Sequence, residues 1–411
     1  MGLMRILFLS AQIPGHLDWG GYLQTAAALT RRGHDVLWAS GEDVRTALAR
    51  AGVPFHALHA TGWRWPPPPP LTAAETASVP DAAGLQRLKQ VRALDQWLDV
   101  ERVAAATSEV IELGSDFAPD LIVTEMFVAA AGLAAEALGT PFAVAGWPAP
   151  PEVEAKPDEM ADLARGRLNE LLARFGLEGR YWTEQGPPAL LSPGLHLTYW
   201  SPRWFEGIAT RPQTRHAGGR RPAQPAPLPA GLPSPDDSPW VLITLGTSFN
   251  RDPNFFVAAA HAARQIGCLP LIALGADSAE DWVQALLPRL PRFAVVRARL
   301  DFAAILPYTA AAIHHGGAGT THALVVHAVP QVVVPHAADQ HRQARAVAHT
   351  GAGFHMPPRR TTIDNLVNCL AALLPDLSVY RSHARTLQAE FDALGGVPAA
   401  ATMLEEAGFR A

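Results

Sequence analysis

A chain of 411 residues is long enough for two ordinary domains with separate cores, and 48% hydrophobic against 17% charged residues describes a well-packed globular protein. A formal charge of -5 argues against nucleic acid or an anionic membrane as partner, and two isolated cysteines, Cys268 and Cys369, exclude a disulfide framework. Lysine stands only at Lys89 and Lys156, so no Walker-type phosphate loop can be written.

From the N-terminus, MRILFLS, the loop QIPGH, a segment with apolar residues at Tyr22, Leu23, Ala26, Ala27 and Leu29, and RRGHDVLWAS predict strand, helix, strand. The start lacks the charged region and cleavage site of a secretory signal, so a cytoplasmic location is expected. Residues 66–80, PPPPPLTAAETASVP, open with five prolines, which forbid helix, and read as a loop or arm. APDLIVTEMF and TPFAVAG repeat the buried-strand signal around the helix-like AAAGLAAEALG. LLSPGLHLTYW and the alanine-rich helices are apolar enough for peripheral membrane contact, but no apolar run reaches the roughly 18 residues that span a bilayer.

From Thr210 to Pro239 almost nothing could enter a core, and this stretch reads as a linker. Beyond it WVLITLGTSF, CLPLIALGA, FAVVRARL, AAIHHGG and QVVVPHAA predict five more strands separated by helices. The expected fold class is α/β, two Rossmann-like doubly wound halves with parallel sheets. The boundaries drawn are 1–209, linker 210–239, 240–390, and a C-terminal helix over 391–411 that packs back on the first domain.

The densest chemistry is IHHGGAGTTHAL at 313–324. Eight histidines fall between His314 and His355, which raises a metal site. On the helix after the glycines, however, His322 and His327 stand roughly 140° apart, and no H-E-x-x-H or C-x-x-C accompanies them. A dinucleotide fingerprint starting at Gly317 and Gly319 fails at its third position, His322. An anion site at a helix start fits better, with glycines admitting a ligand and Thr320 or Thr321 as N-cap; a merely tight turn fits as well.

Thr247 and Ser248 in LGTSF repeat that design at a strand end. Asp339 and Gln340, after QVVVP, pair a carboxylate with an amide as sugar hydroxyls require, although Asp339 could equally cap the following helix. His16 follows the first strand, where a neutral imidazole could act as general base or be a solvated bystander. Glu125, at the end of LIVTE, needs a partner such as His16 if it is buried.

Taken in order, these pieces resemble the inverting, nucleotide-sugar-dependent glycosyltransferases of the GT-B fold (family 1), which include bacterial antibiotic and lipid glycosyltransferases. LPYTAAAIHHGGAGTTHALVVHAVPQVVVPHAADQHRQ at 306–343 is similar to the bacterial donor-binding signature, and GH at 15–16, LGTSF and the linker agree, so the resemblance covers nearly the whole chain. It implies two Rossmann-like domains whose sheets face an inter-domain cleft, with the acceptor on the first and the donor on the second.

The resemblance implies His16 as catalytic base and Glu125, one methylene longer than the family's aspartate, as its orienting acid. It further implies diphosphate binding by Thr247, Ser248, His315, Gly316, Gly317, Gly319 and Thr320, sugar binding by Asp339 and Gln340, and a grip on the nucleobase near Arg299 and Leu300. His314 reads as structural. The family's Asn-Pro after GH is replaced by GHLDWGG, which puts Asp18 and Trp19 near the reacting centre. Trp63 and Trp147 complete the expected acceptor region.

No cofactor and no metal are expected, only a uridine or thymidine diphosphate sugar as co-substrate and a small, apolar hydroxyl acceptor. The partners are then small molecules, and the chain a monomer or homodimer. The alternatives are a peripheral-membrane lipid glycosyltransferase, a nucleotide-sugar epimerase, and a weakly active nucleotide-sugar-binding auxiliary protein.

Overall fold

Short runs of aliphatic residues bounded by glycine, proline and polar residues can all be buried only if they pair with one another under a cover of helices. In the computed structural model they do so in two separate sheets. The structure describes residues 2–409 apart from 18–19, 67, 70, 80, 147–157, 185, 223–225, 248–249, 276, 278 and 337–338. The chain divides into a first unit, Met1–Tyr199 with Gly207–Ala217 and Val397–Ala411, and a second, Trp200–Glu206 with Gly218–Gly396.

Among the described residues, the first unit holds β1 (Arg5–Leu9), β2 (Asp35–Ser40), β3 (Phe55–Ala57), β4 (Leu121–Thr124), β5 (Phe142–Ala145), β6 (Leu195–Thr198) and β7 (Thr214–His216). They pair in parallel in the order β3-β2-β1-β4-β5-β6-β7. Every residue of β4, LIVT, is buried; each such aliphatic side chain contributes about 1.5–3 kcal/mol. Chain order reverses between β1 and β4, whose last pair is Leu9 with Thr124, so the residues that follow both leave the sheet side by side.

The second unit holds β8 (Trp240–Thr244), β9 (Leu269–Ala273), β10 (Val295–Arg297), β11 (Thr309–His314), β12 (Gln331–Val333) and β13 (Gly353–His355). Their parallel order is β10-β9-β8-β11-β12-β13, and it reverses between β8 and β11, where Thr244 faces His314. All five strands expected after the linker are present, and β13 joins them from a stretch too short and glycine-rich to read as a strand.

Four sequence readings are corrected. Within the proline-led stretch, Ala73–Ala77 is helical, because Thr72 and Glu75 form a reciprocal capping box. Inside the stretch read as linker, Thr214–His216 pairs with β6 as an edge strand, which needs only one neighbour and little apolar content. The helix drawn over 391–411 is two: Val379–Ala393 ends, and Gly396–Phe409 follows, its Glu405 taking Arg32 Nη1 at 2.7 Å and His34 Nε2 at 2.9 Å within the first unit. Finally, LHLT within LLSPGLHLTYW is a buried strand rather than a membrane-contacting surface. Among the described residues no helix is long and apolar enough to cross a membrane.

Candidate active site

An acid and a base meet at the switch point of the first unit. Glu125 follows β4 and is fully buried, and the Ala11 amide at the end of β1 donates to its Oε1 at 2.8 Å. His16 closes a 3₁₀ turn, Pro14–His16, and its Nδ1 lies 3.0 Å from Oε1 and 2.9 Å from Oε2 of Glu125. A carboxylate only accepts, so Nδ1 carries the hydrogen and Nε2 is the basic nitrogen of the neutral ring. These two donors offset the cost of burying Glu125.

The two strand ends are held together beneath the pair. The Tyr22 hydroxyl lies 2.9 Å from the Leu9 carbonyl and 3.1 Å from that of Val123. Burial, and then the Glu125 charge, push its phenol well above the ordinary range, so Tyr22 stays a neutral donor.

Aromatic rings border the base. The His16 ring centroid is 5.7 Å from that of Trp63, edge-on at 68°, and 5.5 Å from that of Phe127; Trp63 and Phe127 stand 5.6 Å apart at 72°. Trp63, expected in the acceptor region, thus stands beside His16. Phe127 does not follow from the sequence reading, because an aromatic residue three places after a buried strand reads as core.

In the second unit, β8 and β11 deliver the glycine-rich turns to one sheet edge. His315 is only 7% exposed, and burial, then the neighbouring His314 and His336, hold its imidazole down to about 3. Burial likewise holds His314 down to about 4. Both rings are neutral near pH 7, and a bond to the Thr244 backbone also acts on His315. His314 is structural: its Nδ1 accepts from the Gly316 amide at 3.1 Å and its Nε2 donates to Gln331 Oε1 at 2.9 Å. With its amide committed to His314, Gly316 supplies the turn.

Close approach explains two of the glycines. A Cβ on Gly246, which sits at φ +69°, would lie 2.8 Å from the His315 ring, and one on Gly317 would overlap His315 Nε2. The LGT loop and the HGG turn therefore close on His315 from two sides. Thr247 is exposed beside it, next to Gly246.

The helix after the turn begins earlier than Thr320 or Thr321: Gly317 is the N-cap of Ala318–Val326. The Thr321 hydroxyl instead donates to the Gly317 carbonyl at 2.9 Å, the back-bond a threonine makes inside a helix. Thr320 and Gly319 lie in the first turn, whose amides lack intrahelical acceptors.

Asp339 stands at the N-cap position of Gln340–His349 but makes no side-chain cap bond, so helix capping does not account for it. Gln340 is buried, its Oε1 accepting from the His336 amide at 2.8 Å, and its carbonyl would lie 3.0 Å from a Cβ on Gly316. Arg299, exposed, and Leu300, half-buried, follow β10 at the same edge. Asp18, Trp19, Trp147 and Ser248 lie outside the described residues.

Two doubly wound units, one with an imidazole–carboxylate pair at its switch point and the other with glycine turns and a helix start, define a glycosyltransferase of the GT-B class. Comparisons with known proteins agree. Residues 275–401 match the family model described as erythromycin biosynthesis protein CIII-like, C-terminal domain. The chain is 30% identical over 381 residues to L-demethylnoviosyl transferase of Streptomyces niveus, covering 86% of this chain and 85% of that protein. Among solved structures, the glycosyltransferase of kitacinnamycin superposes with a TM-score of 0.76 at 20% identity, covering 99% of this chain and 100% of that one. Glycosyltransferase VinC in complex with dTDP superposes with a TM-score of 0.69 at 20% identity, with the same coverage. The chain belongs to the family 1 natural-product glycosyltransferases.

Proposed function

We propose that the chain transfers a sugar from a nucleoside diphosphate to a hydroxyl of a small, apolar acceptor by single displacement with inversion. The observation that carries this reading is the His16–Glu125 pair. With Nδ1–H held by the carboxylate, Nε2 takes the hydroxyl proton as that oxygen attacks the anomeric carbon, and Glu125 stabilises the imidazolium that forms.

The charge developing on the leaving diphosphate is assigned to the helix start at Ala318–Thr320, the Thr247 hydroxyl and the His315 ring. Asp339 and Gln340 are assigned to the sugar hydroxyls, and the backbone near Arg299 and Leu300 to the nucleobase. Fixed donors of this kind require neither metal nor cofactor, so turnover should persist in excess chelator. The partly buried rings of Trp63 and Phe127 beside His16 support an apolar acceptor. The natural-product names of the relatives favour it over a membrane lipid, and the dTDP in VinC makes thymidine diphosphate sugars the first donors to try.

The test is a panel of thymidine and uridine diphosphate sugars with polyphenolic and macrolide acceptors, the anomeric configuration of any product being read by NMR. Retention of configuration would exclude single displacement. A product formed without an acceptor, other than free sugar, would point to an epimerase.

A further inference from the structure

The segment joining β12 to the helix Gln340–His349 carries a histidine that the reading above does not use. His336 Nδ1 lies 2.8 Å from the Val334 carbonyl, and its Nε2 lies 3.2 Å from Asp252 Oδ2. Asp252 precedes the helix Pro253–Gln265 and caps it, Oδ1 accepting from the Phe255 amide at 3.1 Å, where the helix start favours a carboxylate. The ring is thus held between two fixed acceptors, a backbone carbonyl on one side and a carboxylate on the other. The Phe255 ring stands edge-on to it at 6.0 Å.

The same residue governs Gln340, because the His336 amide donates to Gln340 Oε1 at 2.8 Å. That bond fixes which way the Gln340 carboxamide faces. We propose that His336 is a positioning residue for the sugar end of the donor site: clamped between Val334 and Asp252, it fixes the amide that orients the Gln340 carboxamide. This rests on the assignment of Gln340 to the sugar.

The test compares Asp252→Ser, His336→Leu and Gln340→Ala by two measurements: KM for a thymidine or uridine diphosphate sugar, and Kd for the bare nucleoside diphosphates by calorimetry. Serine caps helices as well as aspartate but is too short to cap and reach His336 together, so Asp252→Ser removes the clamp and keeps the cap even if His336→Leu fails to fold. Loss of one oriented hydrogen bond should raise KM about tenfold in each variant and leave Kd for the bare diphosphates unchanged. Asp252→Ser combined with Gln340→Ala should be no worse than Gln340→Ala alone.

Additive effects, or an equal loss of affinity for the bare diphosphates, would overturn the proposal. If Gln340→Ala itself leaves KM unchanged, the assignment of Gln340 to the sugar fails, and the proposal with it.

Discussion

His16 Nδ1 lies 2.9 Å from Glu125 Oε2, and the carboxylate that holds it is fully buried and also receives the Ala11 amide. Glu125→Gln keeps the size but allows the amide end to face Nδ1, which favours the wrong tautomer. The expected outcome is a fall in kcat of roughly 10²- to 10⁴-fold, the range for a displaced general base, with unchanged affinity for nucleoside diphosphates. His16→Ala should fall as far, and the double variant no further, since the pair acts as one unit. Wild-type turnover by His16→Ala with a confirmed acceptor would end the assignment.

Gly317 and Gly319 should respond differently to alanine. At Gly317 the new Cβ overlaps the His315 ring, so both folding stability and diphosphate binding should suffer. At Gly319 the Cβ meets nothing within 4 Å, and alanine is the better helix former by about 1 kcal/mol. Gly319→Ala should therefore be at least as stable in thermal unfolding and yet bind thymidine or uridine diphosphate less tightly, because the methyl occupies space that the phosphates need. Unchanged binding would place the diphosphate elsewhere.

Stability of the second unit should fall in mild acid. Burial holds His314 down to about 4 and His315 to about 3, against about 6.5 for a histidine in the unfolded chain. Above about 6.5 neither state binds the proton. Below it the unfolded chain protonates first, so stability falls with pH through that window, by up to about 1.4 kcal/mol per pH unit for each ring. Carboxylates change little between pH 7 and 5, so the loss of urea midpoint between those values reports on the histidines, and the part removed by His314→Gln and His315→Gln separates these two from His196, His327 and His355, which burial also lowers. A pH dependence that is the same in the parent and in those two variants would contradict the burial of these rings.

Trp63 borders His16 without a hydrogen bond to it, so Trp63→Ala should act on the acceptor. The prediction is an acceptor KM raised about tenfold or more, as for loss of a large aromatic contact, with donor affinity and the pH profile of turnover unchanged. A loss of kcat alone, with acceptor KM intact, would show that the ring orients His16 instead.

Sequence alone determined the local features. The strands around LIVT and WVLIT, the helices between them and the glycine turns were legible because burial and backbone conformation are written in a few adjacent residues. The run from HHGGAGT to DQ named the class for the same reason: a helix start at a strand end needs its glycines and hydroxyls close together in the chain.

Only the tertiary structure decided what depends on strand order. His16 and Glu125 are 109 residues apart, and each alone read as an ordinary loop histidine and a costly buried acid. They meet because β1 pairs with β4, and nothing local in the chain chooses that neighbour. The same holds for Phe127 beside His16, for Gln331 fixing the His314 tautomer, and for Asp252 reaching His336. In each case the partner is selected by the packing of the whole sheet, which minimises unpaired buried polar groups across residues that no short window contains.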